Sequence, residues 1–393
     1  MNNIASGASA AGHSMVGLTG LRGLAALWVL VYHAWVYVTP QEILFDLFGE
    51  TIRVHVFFSL GWSGVQLLFV LSGFLLTLPY ARANAGLAPR PKVGGYLRKR
   101  IARVFPAYYL QLVLLVLITF AVSGVMLITS ANAMQYLLML FVPPPIGVGA
   151  PGSVNGVWWT LPIELSFYLV LPFISGLAHY RRIALLLGLS LAGMVAWRYF
   201  VLNVLAPIGN VPIWTYQLPG SMDAFSLGMV GAVLHVHFAE RKRPTALYTA
   251  CLKLLLLCSV PAFAFLGYWM AEDYAVYWSG ALIHYLWTPL FGTAVLVVIL
   301  NCAHGGTLVD VVLGNRAVFY LGTVSYGLYL WHLPIGAWLL KLPLIAEMES
   351  YPFPRLALLM FLGSLCIASL SWYLVEARAI GWARRPVLRK DKA

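Results

Sequence analysis

Long apolar runs recur along almost the whole chain, separated by short stretches rich in charged residues, glycine and proline. About 20 apolar residues in a helix are enough to cross the ~30 Å hydrocarbon core of a bilayer. This pattern predicts ten transmembrane helices, which place both termini on the same side of the membrane. The predicted spans are residues 18–38, 56–80, 104–128, 156–177, 183–204, 218–238, 247–270, 280–303, 318–341 and 355–377.

The composition agrees with this interpretation. Of the 393 residues, 61% are hydrophobic and 10% are charged, which is more apolar surface than one soluble core could bury. We therefore expect an all-α membrane protein. The expected organisation is a short N-terminal segment (1–17), one transmembrane domain (18–377) and a basic tail (378–393).

Basic residues predict the orientation, because short loops rich in Lys and Arg stay in the cytoplasm. In a ten-span arrangement, 19 of the 25 Lys and Arg residues fall on the side that holds the termini, and residues 81–103 alone carry seven. Both termini are therefore predicted to be cytoplasmic, in the inner (cytoplasmic) membrane of the cell. The net charge of +12 is explained by topology and contact with anionic lipids, and nucleic-acid binding is the weaker interpretation.

The first apolar run contains two ionisable residues, Arg22 and His33. Eleven residues of helix bring them to within about 20° of one face, roughly 16 Å apart along the axis. An ionisable side chain in hydrocarbon costs at least ~2.5 kcal/mol, so such residues need partners, water or a function. The spacing indicates a polar path through the membrane, although an arginine extending to the inner interface is a serious competitor for Arg22.

Other predicted spans also carry polar residues that should face the bundle interior. Glu164 and His33 lie at similar depths in the outer half of their spans, so the two could meet. Asp223 and His332 lie in spans six and nine at outer depths. For either of these two alone, a structural hydrogen-bonding role is as good an interpretation as a functional one.

Five motifs in sequence order resemble the acyltransferase-3 family of membrane O-acyltransferases, over about residues 18–376. They are the Arg22–His33 spacing, Phe-Val-Leu-Ser-Gly-Phe at 69–74, the basic stretch 98–109, Trp-Thr-Leu-Pro-Ile-Glu at 159–164, and Ser-Tyr-Gly-Leu-Tyr-Leu-Trp-His-Leu-Pro at 325–334. Taken alone, residues 69–74 would be a small-residue helix contact. The resemblance implies transfer of an acetyl or other short acyl group from cytoplasmic acyl-CoA, usually acetyl-CoA, to a hydroxyl of a carbohydrate.

The implied chemistry assigns roles to these residues. His33 would be the general base, because imidazole has the ordinary pKa closest to neutral. Glu164 would orient its ring. The donor phosphates would be held by Arg22, Arg98, Arg100 and Arg103, whose guanidinium groups match phosphate oxygens. The acceptor side, or residues supporting it, would include Tyr329, His332, Asp223 and Trp159.

We expect no metal site and no bound cofactor, with acyl-CoA as co-substrate and membrane lipids as further partners. Some family members carry an appended soluble esterase-like domain, whereas a short basic tail follows the last span here. Transfer would then finish in the membrane domain or on a partner protein. Acceptor identity, acyl length, a covalent acyl-enzyme and the oligomeric state all stay open.

Two other classes compete with an acyltransferase. A transporter or flippase could use intramembrane His, Glu and Arg as a pathway, but it predicts internal pseudo-symmetry and matching broken helices, which the two halves do not show. A histidine-ligated redox protein could use His33, His332, His235 or His237. His235 and His237 do not share a helix face, and the chain contains no haem-attachment motif.

Overall fold

The structure is a computed structural model that describes residues 3–38, 42–47, 49–130, 132–139, 154–208, 211–241, 244–305, 308–342 and 352–385. The last eight residues of the predicted basic tail, 386–393, lie outside this described part. Most of the described chain is helical, which confirms the predicted all-α class. One short antiparallel hairpin, β1 (Leu44–Leu47) and β2 (Glu50–Arg53), pairs Leu44 with Arg53.

Fifteen α-helices are numbered here in chain order. They are α1 (Asn3–Tyr37), α2 (His55–Ser59), α3 (Gly64–Asn84), α4 (Val93–Ser123), α5 (Ala133–Leu138), α6 (Thr160–Ile174), α7 (Ile183–Phe200), α8 (Val211–Thr215), α9 (Met222–His235), α10 (Ala246–Tyr277), α11 (Leu282–His304), α12 (Leu308–Leu313), α13 (Arg316–Leu339), α14 (Pro352–Ser371) and α15 (Ala377–Arg384). Short 3-10 or π-helical segments extend several of them. Two of these segments are Gly156–Trp159 before α6 and Trp372–Glu376 between α14 and α15.

Within the described residues, nine helical segments are long and apolar enough to cross a membrane. They correspond to nine of the ten predicted spans. They are Val16–Tyr37, His55–Asn84, Val93–Ser123, Gly156–Leu177, Tyr180–Leu205, Pro219–Arg241, Ala246–Tyr277, Leu282–His304 and Pro352–Arg384. The remaining prediction, 318–341, coincides with α13, which is not among these nine segments.

Several helices extend beyond the predicted bounds. α1 begins at Asn3, so the predicted segment 1–17 is helical from that residue onward. α4 begins at Val93 and carries the basic stretch 98–103 on its first turns, where a loop was expected. Arg and Lys are good helix formers, so a helix can continue through basic residues that lie beyond its apolar segment. α4 ends where Gly124 adopts a left-handed conformation with φ of 68°.

Contacts at the helix ends show that successive spans alternate in direction. At one end, here named the basic end, Arg82 pairs with Glu240 at 2.6 Å and Arg98 donates to the carbonyl of Arg385 at 2.7 Å. At the opposite end, Arg53 pairs with Glu272 at 2.7 Å. Arg22 of α1 and Arg384 of α15 line one cavity, so these two residues lie at the same end of the bundle.

Glycines allow the central helices to approach closely. A Cβ built on Gly73 of α3 would collide with the carbonyl of Phe225 in α9, and one on Gly228 would collide with the carbonyl of Val70. α1 and α13 are similarly close, because a Cβ on Gly322 would collide with the carbonyl of Thr19. The Ser-Gly motif at 72–73 is therefore a small-residue helix contact, as its sequence indicates.

Candidate active site

A cavity of about 590 Å³ lies at the basic end, between α1, α3, α4, α6, α13 and the α14–α15 region. Among its described lining residues, one carboxylate, Glu164, faces five cationic side chains. The cations are Arg22, Lys99, Arg100, Arg103 and Arg384. This excess of positive charge favours an anionic ligand, and guanidinium groups are suited to phosphate oxygens. The cavity is referred to below as the basic cavity.

Two of the predicted donor-binding residues have further contacts. Arg103 lies 3.8 Å from buried Glu376 and places its guanidinium 5.5 Å from the ring centre of Trp372. Arg98 does not line the basic cavity. Its guanidinium lies over Trp382 at 5.8 Å and donates to the Arg385 carbonyl. Arg98 therefore holds the last helix, α15, against α4. Its side chain lies beside the cavity and does not line it.

Glu164 belongs to the basic cavity. It accepts a hydrogen bond of 3.0 Å from the Ser72 hydroxyl, and it lies close enough to Arg22 and Tyr168 to interact with them electrostatically. His33 and Glu164 line different cavities, so the structure does not bring together the pair that sequence depth suggested. Depth along separate helices does not fix how the helices are rotated about their axes.

The partner of His33 is His332. Nε2 of His332 lies 3.1 Å from Nδ1 of His33, and Nδ1 of His332 lies 2.6 Å from the carbonyl oxygen of Tyr329. His332 is fully buried and lines neither cavity. It therefore contacts His33 from behind and does not reach the acceptor side directly.

These contacts allow the protonated nitrogens to be assigned. A nitrogen that faces a carbonyl oxygen must carry the proton, so Nδ1 of neutral His332 is the donor and its Nε2 is an acceptor. Nδ1 of His33 faces that acceptor and also the carbonyl oxygen of Val29 at 2.9 Å. It must be protonated as well, which leaves the lone pair of His33 on Nε2.

His33 lines a second cavity of about 220 Å³, here named the aromatic cavity. Trp159, predicted on the acceptor side, also lines it, together with Gln66. Seven Trp and Tyr side chains dominate the described lining: Tyr32, Trp62, Trp159, Tyr216, Tyr274, Trp278 and Tyr329. Several of these rings pack on one another, with Trp159 and Tyr216 centres 5.5 Å apart and Tyr216 and Trp278 centres 5.6 Å apart. Apolar walls with few polar groups are typical of a small-molecule site.

The two cavities share the residues Val65 and Tyr329 as a common wall. The Tyr329 hydroxyl lies 3.0 Å from the Thr160 hydroxyl and donates to the carbonyl of Val157 at 3.2 Å. These contacts hold its ring between the cavities. A ligand anchored by phosphates in one cavity could therefore present its far end to the other.

Asp223, which the sequence analysis predicts as a candidate site residue, lines neither cavity. It is fully buried, 3.6 Å from the guanidinium of Arg198, and it accepts a 2.5 Å hydrogen bond from Thr288. Arg198 also donates to the carbonyls of Gly220 and His284. The structure thus places Asp223 in a buried ion pair that joins α7, α9 and α11.

Sequence reasoning missed several lining residues. Gln66 carried a readable signal, since it is an amide inside a predicted span. Arg384 was assigned to the tail, and the aromatic lining residues had no distinguishing feature among the 14 Trp and 21 Tyr residues of the chain. Among the described residues, no group of three or more His, Cys, Asp or Glu side chains is arranged to hold a metal ion.

These features define a multi-pass membrane protein with a cation-lined cavity adjoining a histidine-containing aromatic cavity. The acyltransferase domain that defines the acyltransferase-3 family matches residues 15–373, so the chain belongs to this family and is an acyltransferase. No solved structure matches the chain.

Three relatives illustrate the similarity. Nodulation protein 10 of Rhizobium leguminosarum bv. viciae is 26% identical over 391 residues, covering 92% of each chain. The exopolysaccharide production protein ExoZ of Rhizobium meliloti (strain 1021) is 25% identical over 73% of this chain and 80% of its own length. The peptidoglycan O-acetyltransferase OatA of Listeria monocytogenes serovar 1/2a is 24% identical over 91% of this chain, which spans 54% of that relative.

Proposed function

We propose that this protein transfers an acetyl or other short acyl group from acyl-CoA, bound in the basic cavity, to a hydroxyl of a carbohydrate acceptor in the aromatic cavity. The observation that carries the proposal is the common wall of Val65 and Tyr329 between a cation-lined cavity and the one that holds His33. Two relatives are named an exopolysaccharide production protein and a peptidoglycan O-acetyltransferase, and these names support a glycan acceptor.

In the proposed donor complex, Arg22, Arg100 and Arg103 bind the phosphates of CoA. Their forked donors match phosphate oxygens, and their charge is permanent at physiological pH. Glu164, held by Ser72, orients Arg22 through their opposite charges. The flexible arm of CoA then extends along α1, which rises about 16 Å between Arg22 and His33. This brings the thioester to the shared wall at Tyr329.

In the proposed reaction, Nε2 of His33 removes the proton of the acceptor hydroxyl. The hydroxyl oxygen attacks the thioester carbonyl, a C–O bond forms, the C–S bond breaks, and CoA leaves as the thiolate. His33 becomes an imidazolium whose Nδ1–H already faces the Val29 carbonyl and His332. His332 therefore takes the orienting role that sequence depth suggested for Glu164.

The arrangement also supports an orientation in the membrane. Acyl-CoA is made in the cytoplasm, so the basic end would face the cytoplasm and hold both termini there. The aromatic cavity would then face the acceptor from the opposite half of an inner, cytoplasmic membrane. This agrees with the excess of Lys and Arg in loops at the basic end.

A solubilised-protein assay tests the proposal. Detergent-purified protein should release free CoA from acetyl-CoA when a suitable glycan is added, because group transfer needs no sealed compartment. The same preparation reconstituted in proteoliposomes tests transport. Flux of acceptor across the vesicle membrane without any release of CoA would reject acyl transfer and favour a transporter.

A further inference from the structure

Gln66, in the first turn of α3, is a buried amide without a described partner. Its side chain is 2% exposed, it lines the aromatic cavity, and its Oε1 is enclosed with no hydrogen bond from any described residue. Gln111, a second buried glutamine, is fully engaged. It donates to the Leu330 carbonyl at 2.7 Å and accepts from Trp158 at 2.8 Å.

The energetic difference between these two amides is large. A buried amide without partners loses its hydrogen bonds to water and gains none from the protein, so it destabilises the fold. Packing therefore does not account for Gln66, because leucine would fill a similar volume without that cost. A rotation of the terminal amide by 180° exchanges its donor and acceptor ends. Gln66 can thus offer either group to a ligand in the aromatic cavity.

The rest of the cavity indicates what that ligand would be. Seven Trp and Tyr rings supply flat faces, and the Gln66 amide is a polar group in addition to the His33 imidazole. Aromatic faces pack well against the C–H face of a sugar ring, whereas a few polar side chains fix its orientation. A ligand with a single hydroxyl could satisfy His33 but would leave Gln66 unpaired.

We propose that Gln66 is a positioning residue for the acceptor and hydrogen-bonds a hydroxyl other than the one that reacts at His33. The acceptor is then a ring that carries at least two hydroxyls, such as a sugar, and not a simple alcohol. This inference rests on the proposed function in one respect only, which is that His33 deprotonates the reacting hydroxyl. The binding of a polyhydroxylated ring can be measured without acyl-CoA.

Ligand binding to the whole protein in lipid nanodiscs provides the test. Saturation-transfer NMR titrations would use methyl β-D-glucopyranoside, methyl α-D-mannopyranoside and N-acetylglucosamine as ring probes, with cyclohexanol as the single-hydroxyl probe. In Gln66→Leu, the Kd for a sugar probe relative to that for cyclohexanol should rise about fivefold or more, as expected for one lost hydrogen bond. In acyl transfer, the variant should raise the KM for the acceptor and leave the KM for acetyl-CoA unchanged.

Thermal unfolding tests whether Gln66 has only a structural role. Gln66→Leu should keep or raise the unfolding midpoint, whereas Gln111→Leu should lower it, because only Gln111 loses partners. Absence of saturable binding of all three sugar probes to the wild-type protein, or an unchanged Kd ratio in Gln66→Leu, would overturn the inference. Sugar binding that depends on Gln66 in a protein unable to transfer acetyl groups would instead reject the proposed function alone.

Discussion

Two sets of polar side chains in the spanning helices differ in whether a cavity adjoins them. Arg198 and Asp223 are both fully buried, and the donors of Arg198 reach the carbonyls of Gly220 and His284, the Thr288 hydroxyl and the carboxylate. Arg22 and His33 lie on one face of α1 and each lines a cavity. The comparison shows that a cavity beside a charged or polar side chain, and not its charge alone, indicates a ligand site.

The surroundings explain this difference. Arg198 lies where three helices converge, and it lines neither of the two cavities. Its guanidinium must therefore be hydrogen-bonded by protein groups. Around Arg22, the excess of cations in the basic cavity leaves positive charge that only an anionic ligand or solvent can balance. The first arrangement stabilises the bundle, and the second can bind a substrate.

The largest expected effect is on folding, at the buried ion pair of Arg198 and Asp223. Arg198→Ala leaves Asp223 buried and uncompensated, which should cost about 3 kcal/mol or more. Size-exclusion chromatography and the thermal midpoint would show aggregation or a strong loss of stability. The matched control is Arg22→Ala, which should stay monodisperse with a nearly unchanged midpoint. If both variants behave alike, the contrast between the two sets is incorrect.

The next effect is on catalysis, at the cavity-facing set. His33→Ala should lower kcat by about 100-fold or more, as expected for loss of a general base, while the folded protein is retained. His332→Ala should cause a smaller loss, because it removes the partner that orients Nδ1 of His33 but leaves the base. Turnover of purified protein in nanodiscs measures both. Retention of more than about a tenth of wild-type turnover in folded His33→Ala would falsify its assignment as the base.

The smallest expected effect is on donor affinity, at the basic cavity. Arg22→Gln and Arg103→Gln should each raise the KM for acetyl-CoA about tenfold, since each removes a charged hydrogen bond to phosphate. With an acetyl-CoA analogue that lacks the 3′-phosphate, the KM values for the donor should differ less between wild type and variant. Arg22→Lys should rescue poorly, because an ammonium group lacks the planar fork.

Arg98→Gln is the control for this donor experiment, because Arg98 lies on the same basic stretch but outside the cavity. It should leave the KM for acetyl-CoA unchanged. Equal changes in the KM values for donor and acceptor in the Arg22 and Arg103 variants would return those residues to a role in topology and lipid contact.

The sequence predicted well what depends on local composition. Nine predicted spans correspond to apolar helices. The helix α13 was also predicted, because apolar residues surround the polar ones along its length. The boundaries were less accurate where charge continues a helix, as in α4. Helix propensity does not distinguish a charged first turn from a charged loop.

The candidate site was predictable in part. Arg22, Arg100, Arg103 and Glu164 do meet in one cavity, and Trp159 lies with His33 in the other. The partners were not predictable, since Glu164 contacts Ser72 and His33 contacts His332. Nor could the sequence separate the satisfied Gln111 from the unsatisfied Gln66.

By itself, the sequence determined that this chain is a multi-pass helical membrane protein, which polar residues lie within its spans, and which family it resembles. Those properties follow from the length and apolarity of single segments and from motif order, which are local. Only the tertiary structure decided that Arg198 and Asp223 form a buried ion pair, that His332 contacts His33, and that Val65 and Tyr329 separate two cavities. The physical reason is that the rotation and packing of each helix depend on close contacts between residues far apart in sequence, such as Gly73 with Phe225 and Gly322 with Thr19.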